Sequence, residues 1–525
     1  MRPLAPSDVR GMCADGQEIA ILDLREELIF SRGHLLHARS LPLSRLELRM
    51  ARLVPRHDTR IVLCADADGL AERASAILAR HGYTNLYVLG GGVAAWASAG
   101  FELFSGVHVP SKGFGEFVEH ENETPSITAD ELDRLMGKGT DLVVLDSRPL
   151  DEYVSMSIPT AINVPGAELV LRIHDLAPSP DTLVVVNCAG RTRSIIGAQS
   201  LIDAGVPNKV VALRNGTMGW KLAGLTCESG KSQRAPAPSD DGMAWAKSAA
   251  DRVACRFGVK RINRATLDQF RSEQGQRSLY LFDVRDPPEY VAGHVAGAVS
   301  APGGQLVQAT DHYVGTLGAR VVLVDDKEAR AVMTASWLRR MGWKDTFVLV
   351  EAGGETGWPG NPVLGAEPTP ELRIDCAELA ALLAREGATV IDLSTSRSYR
   401  DAHIPGAWFA IRSRLAQGLA RIPLRGTLVL TSEDGVLAGV AAPEARGLTK
   451  LPVRYLAAGN AEWCQAGYAL SSDGARMADE PVDLWLKPYE QQGDTKPAMV
   501  EYLSWETDLL PRLERDGYLD LLRSG

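Results

Sequence analysis

Four times along the chain a short apolar run closes on an acidic residue: Ala20–Asp23, Val143–Asp146, Tyr280–Asp283 and Val390–Asp392. A small-residue turn follows each (SRGHLLHA, MSIPTAIN, AGHVAGAV, DAHIPGAW), then a second apolar run (RIVLC, TLVVVN, ARVVLV, TLVLT). After that come a helix-like stretch, a third apolar run (NLYVL, KVVAL, TFVLV, VRYLA) and a closing tryptophan: Trp96, Trp220, Trp358 and Trp463. The interval from acid to tryptophan is 71 to 75 residues in all four, the mark of an internal repeat. Helix starts precede the acids, with Thr128 as N-cap and Glu131 three residues on, and Asp375 in the same role before Glu378. Short unbroken Val/Ile/Leu runs that alternate with helices predict parallel strands buried on both faces, an α/β architecture.

The repeat divides the 525 residues into expected domains at 1–105, 122–229, 258–365 and 370–475, with a helical tail at 476–525. Residues 104–125 and 230–258 read as linkers, the second around Arg234-Ala235-Pro236-Ala237-Pro238. That grouping predicts that the first two units pack together and the last two pack together. In the tail, Met499, Tyr502, Leu503, Trp505 and Leu509 share roughly one helical face and Pro497 suits a first turn, so a helix packed on the last unit is expected, with a dimer contact the alternative.

Composition narrows the class. Lys plus Arg is 56 against 66 for Asp plus Glu, and a net charge of −10 argues against a nucleic-acid or membrane partner. No apolar stretch is long enough to span a bilayer and the N-terminus has no apolar run of the secretory kind, so a soluble cytoplasmic chain is expected. Seven cysteines are an odd number and too few for a disulfide scaffold. Their spacing relative to histidine suits no metal, and neither metal nor organic cofactor is expected.

One loop carries chemistry. The run Val184-Val185-Val186-Asn187 ends in Cys188-Ala189-Gly190-Arg191-Thr192-Arg193, and a helix is expected from about Ser194. Ligands bind at the carboxyl ends of strands in open α/β sheets. Backbone N–H groups of a tight loop entering a helix converge on an anion, and there they favour thiolate over thiol. Arg191 and Arg193 add charge suited to an oxyanion.

The loop, its place after the fourth of five expected strands, and the Asp-to-Trp framing resemble the rhodanese-like sulfurtransferases. The resemblance covers nearly the whole chain, as four tandem domains that each hold a mainly parallel five-stranded sheet with helices on both faces. It implies that Cys188 is the nucleophile, taking sulfane sulfur as a persulfide and passing it to a thiophilic acceptor. Ala189, Gly190, Arg191, Thr192, Arg193 and Ser194 would cradle the persulfide and a small anionic donor such as thiosulfate, with mercaptopyruvate an alternative. Cyanide or a thiol would accept. The rival reading is a carrier that delivers sulfur to a protein partner. A phosphatase of related fold needs arginine six positions after the cysteine, where this chain has Ser194.

Registration on the following helices places Ala65 and Asp325 where the second copy has Cys188, and the strand end places Ser432 there in the fourth, so the other three units are expected to be inactive. Cys64, one residue early, reads as a buried inert thiol, and Cys13, Cys227, Cys255, Cys376 and Cys464 read as packing residues. His34, His294 and His403 occupy equivalent turns where the second copy has Ser157, which marks them as structural. Asp146 and Arg148 are expected to support the loop.

Overall fold

In the computed structural model, which describes residues 2–66, 68–365 and 369–523, the apolar runs become the central strands of four sheets. Each sheet has its strands, counted along its own stretch of chain, in the spatial order first, fifth, fourth, second, third, all parallel. In the second unit these are Ser126–Ile127, Val210–Leu213, Leu183–Asn187, Leu142–Asp146 and Ile162–Asn163. Leu142–Asp146 and Leu183–Asn187 lie side by side and are largely buried, as both-face burial of a parallel sheet requires. The expected caps form: Thr128 Oγ1 accepts from Glu131 N at 3.2 Å, and Asp375 accepts from Glu378 N at 2.7 Å.

The pairing of units departs from the expectation. The second unit packs on the third and the first on the fourth, each through the turn that follows its third strand. Between the second and third units, Gly166 and Gly304 approach so closely that a Cβ on Gly304 would lie 3.0 Å from Gly166 N. Between the first and fourth, Arg412 grips Glu47 through two bonds of 2.5 and 2.7 Å, and Glu26 accepts from Ser44 and Ser413 at 3.0 and 2.7 Å. The first and third units also meet. Thr316–Leu317 of the third adds antiparallel to Ile19–Ala20 at the edge of the first sheet, and Tyr280 donates to the Leu53 carbonyl at 2.6 Å.

The two segments read as linkers are largely helical and packed. Asp240–Phe257, capped by Ser239, lays Ala246, Ala249, Ala250 and Val253 between the second and third units. Val109–Asn122 packs on the helix Thr192–Ala204 of the second unit. The tail helix, Lys496–Asp516, packs on Val109–Asn122 and on Met218 of the second unit rather than on the fourth, and its end binds Arg10 of the first through Asp516 at 2.9 Å. Small residues permit this approach: Leu513 fills the space above Gly113, where a Cβ would meet it at 2.0 Å. No helix among the described residues is long and apolar enough to cross a membrane.

Candidate active site

Strand register sets the four loops in alignment. Asp23, Asp146, Asp283 and Asp392 pair with Cys64, Asn187, Val324 and Thr431, so the next residues, Ala65, Cys188, Asp325 and Ser432, are equivalent. Cys64 therefore lies within its strand. It is fully buried, and burial followed by the nearby Asp23 carboxylate pushes its thiol well above the ordinary value. All seven cysteines are free. Cys255 and Cys464 are exposed on helices, contrary to the packing role expected of them.

The loop after Leu183–Asn187 is held from below. Thr217 N and Oγ1 donate to the Cys188 carbonyl at 2.8 and 2.9 Å, and Met218 N donates to Ala189 O at 3.0 Å. Gly216, at φ +53°, presses against this backbone, and a Cβ there would lie 2.3 Å from Cys188 O. The helix begins at Thr192, two residues earlier than expected. Cys188 Sγ lies 3.5 Å from Ser194 Oγ, which itself donates to Arg191 O at 2.7 Å. The N–H groups of Ala189 to Arg193 donate to no acceptor among the described residues.

The third unit reveals what such a loop holds. The Asp325 carboxylate accepts from the N–H groups of Lys327, Arg330 and Ala331 at 3.1, 2.9 and 3.3 Å. By register these correspond to Gly190, Arg193 and Ser194. The loop is an anion cradle that the third unit fills with its own side chain, and Cys188 has the same position in the second.

Asp146 and Arg148 form a buried pair that frames the strand end. Arg148 donates to Asp146 at 2.8 and 2.6 Å and to the Met156 carbonyl at 2.5 Å, while Asn187 Nδ2 donates to Asp146 at 2.9 Å. The same pair recurs as Asp23–Arg25 and Asp283–Arg285, where no loop cysteine exists, so it is part of the fold. His34, His294 and His403 stack on Phe30, Tyr290 and Tyr399 with centroids 3.9 to 4.0 Å apart.

Cys188 opens into a cavity of about 630 Å³ that both loop arginines also line. Neither arginine is an uncompensated charge. Arg191 binds both oxygens of Glu116 at 2.8 and 2.7 Å, and also Glu119. Arg193 binds both oxygens of Glu152 at 3.1 and 2.8 Å and reaches Gln305 of the third unit at 3.0 Å. Burial alone would raise Glu152, but the Arg193 guanidinium outweighs it and holds the carboxyl well below the usual range. Arg330 repeats the arrangement from the other side, binding Glu289 at 2.6 Å and Glu168 of the second unit at 2.7 Å. The two units thus exchange one arginine contact each across a local pseudo-two-fold.

Sequence reasoning missed the cavity's roof. Trp485, Tyr489, Tyr502 and Glu506 of the tail line it with Lys112 of the helix Val109–Asn122. Lys112 and Tyr502 both bind Glu506 Oε1, at 2.9 and 3.0 Å, directly above Gly190. The only local signal was the helical spacing of Tyr502 and Glu506, which says nothing about where the helix docks. No group of three or more metal-ligating side chains occurs among the described residues.

A repeated parallel sheet of this strand order, with an anion-cradling loop after its fourth strand, defines a class, and comparison with known proteins identifies it. The Rhodanese-like domain family model matches residues 5–99, 128–223 and 266–359, and the chain belongs to the rhodanese-like family. The crystal structure of a thiosulfate sulfurtransferase from Pseudomonas aeruginosa superposes with a TM-score of 0.94 at 45% identity, covering 99% of each chain. This chain is accordingly a rhodanese-like transferase. An HTH-type transcriptional regulator of Mycobacterium tuberculosis is 34% identical over 105 residues, which is 20% of this chain and 45% of that protein. An uncharacterised protein of Bacillus subtilis is 32% identical over 96 residues, 18% of this chain and 72% of that one.

Proposed function

We propose that the protein moves sulfane sulfur from thiosulfate, or a donor of the same kind, to cyanide or a small thiol through a persulfide on Cys188. The Cys188 thiolate attacks the outer sulfur of the donor. The donor's S–S bond breaks, sulfite leaves with the electron pair, and the acceptor then attacks the terminal sulfur to regenerate the thiolate. The observation that carries this reading is the third-unit loop, in which backbone N–H groups surround the Asp325 carboxylate. Among the described residues, the equivalent groups of Gly190 and Arg193 have no acceptor around Cys188. The neighbour's name, thiosulfate sulfurtransferase, supports the choice of donor.

In this reading Arg191 and Arg193 position the loop through their carboxylate partners, and backbone N–H groups bind the anion. Asp146 and Arg148 support the strand end. Residues 122–229 form the catalytic unit. The units at 1–105, 258–365 and 370–475 are non-catalytic, because Ala65, Asp325 and Ser432 offer no thiolate.

A small acceptor is favoured over delivery to a protein partner. Cys188 is 2% exposed at the floor of a cavity roofed by the tail, which a protein's own cysteine reaches poorly. The test is a donor panel with wild type and Cys188→Ala, reading sulfite, pyruvate and thiocyanate. The reading expects thiosulfate to yield sulfite and thiocyanate with wild type only. Equal turnover by the variant, or turnover that needs an added protein acceptor, contradicts it.

A further inference from the structure

A second cavity of about 640 Å³, as large as the one over Cys188, lies between the first and third units. The helix Leu46–Leu53 presents Arg49 and Arg52 to it, three residues apart and so on one face. Arg271 enters from the helix Arg264–Ser272. No carboxylate lines this cavity among the described residues, although the chain carries a net charge of −10. Arg52 has no hydrogen-bond or ion-pair partner among the described residues. Arg49 donates to the Ser40 carbonyl at 3.0 Å and meets His312 Nδ1 at 3.3 Å. Arg271 is held by Asp268 at 3.3 Å and by the Ala296 carbonyl.

Burial pushes the Arg49 guanidinium down against the pull of Glu27 and Asp311, and pushes the His312 imidazole down to about 3 with Arg49 and His108 adding to it; Arg49 is half-buried and His312 exposed. The carboxylates that act on Arg49, Glu27 and Asp311, are outside this cavity, and Asp311 is bonded to His108 at 2.7 Å.

The opposite wall is apolar and strand-like. Leu279–Phe282 line it, with Tyr313 beside them. Leu279 and Tyr280 correspond to Ile19 and Ala20 of the first unit, an edge that Thr316–Leu317 covers. In the third unit that half-edge pairs with no strand among the described residues, since Val299–Ser300 reaches only Phe282 and Asp283. Guanidinium groups on one side, apolar side chains on the other and a volume typical of small-molecule sites together specify an amphiphilic anion. Arg49 and His312 also line a smaller void of about 250 Å³, which shares Glu27, Val107, His108 and Leu484 with the Cys188 cavity.

We propose that this cavity is an accessory site, separate from Cys188, for an organic anion whose sulfonate or carboxylate lies between Arg49 and Arg52 and whose apolar body rests on Phe282 and Tyr313, which meet edge to face. Charge-assisted bonds to two guanidiniums make the anionic group the dominant recognition element.

The test is fluorescence titration of the full chain with 8-anilinonaphthalene-1-sulfonate and with its uncharged counterpart, N-phenyl-1-naphthylamine. The proposal expects the sulfonate to bind about tenfold or more tightly than the neutral probe. Arg52→Gln should weaken the sulfonate by about threefold or more, and Arg49→Met with Arg52→Gln by about tenfold or more. Neither variant should affect the neutral probe or the Cys188 reaction. Should circular dichroism show the double variant unfolded, Arg52→Gln decides alone, because Arg52 has no hydrogen-bond or ion-pair partner among the described residues and glutamine keeps part of its half-buried stem. Unchanged sulfonate affinity in Arg52→Gln overturns the proposal. So does a parallel loss of both probes, or a loss that appears instead in Lys487→Gln, which would place the probe over Cys188.

Discussion

Asp325 and Cys188 stand at the same point of two copies of one loop, and the difference between them is the difference between a filled and an open anion cradle. Cys188→Ala should therefore abolish sulfur transfer. Mass spectrometry after thiosulfate should find the mass of one added sulfur on the Cys188 peptide and none on the Cys64 peptide. In the third unit, Asp325 and Arg330 are both completely buried and bonded at 2.8 Å. Asp325→Ala leaves that arginine less compensated and should cost about 3 kcal/mol or more, read as a lowered urea midpoint, without a direct effect on the cradle around Cys188. The cysteine loop was legible in the sequence because its nucleophile, glycine and arginines fall within a few positions of Cys188, whereas Gly216, Thr217 and Met218, which hold it from below, lie about thirty residues away. The partners of its arginines were not. Glu116 lies 75 residues from Arg191, and Gln305 lies 112 from Arg193, on another unit. Local motif reading therefore took both side chains for unpaired anion binders.

At the scale of elements, the strands were readable from their apolar runs and the segments between units were not. Val109–Asn122 carries glycines, a proline and charges that suggest a linker, yet the glycines are there for close packing. A Cβ on Gly115 would meet Thr192 Cγ2 at 2.8 Å and Thr192 Cα at 3.2 Å, in the first turn of the helix Thr192–Ala204. Gly115→Ala should displace that turn and lower sulfur-transfer turnover, while far-ultraviolet circular dichroism stays unchanged. A variant with wild-type turnover would show that the loop does not depend on this contact. On the facing helix Leu513 is fully buried. Leu513→Ala should cost about 2–5 kcal/mol, through lost burial and a residual cavity, and loosen the roof formed by Tyr502 and Glu506. The tail's amphipathic face predicted a helix but could not name its dock, because apolar spacing identifies a buried face and not the surface that buries it.

At the scale of the whole molecule, the four repeats form a connected assembly in which the fourth unit meets the first, the first meets the third and the third meets the second. The tail returns from the fourth to roof the second. Packing does not simply follow sequence order, because the shared turn after the third strand pairs the first unit with the fourth as well as the second with the third. The first–fourth contact places Glu26 between Ser44 and Ser413, and burial pushes its carboxyl up to about 7, with the serine hydroxyls opposing that shift. Asp483 pushes in the same direction as burial and Arg45 against it. Between the ordinary carboxyl value of 4.5 and about 7, the folded chain retains a proton here that the unfolded chain has released. The stability contributed by this proton is complete below that window and declines as pH rises through it, by about 3 kcal/mol at most. Glu26→Gln keeps an acceptor for one serine, offers the other hydroxyl an N–H, and has no proton to lose. Comparing urea midpoints at about pH 5 and about pH 8, the wild type should lose more stability between the two than the variant does. Parallel pH profiles would mean that Glu26 is ionised in the folded interface throughout. A steeper fall in the wild type would place a titrating carboxyl at the junction that holds the fourth unit, and with it the start of the tail, to the rest of the enzyme.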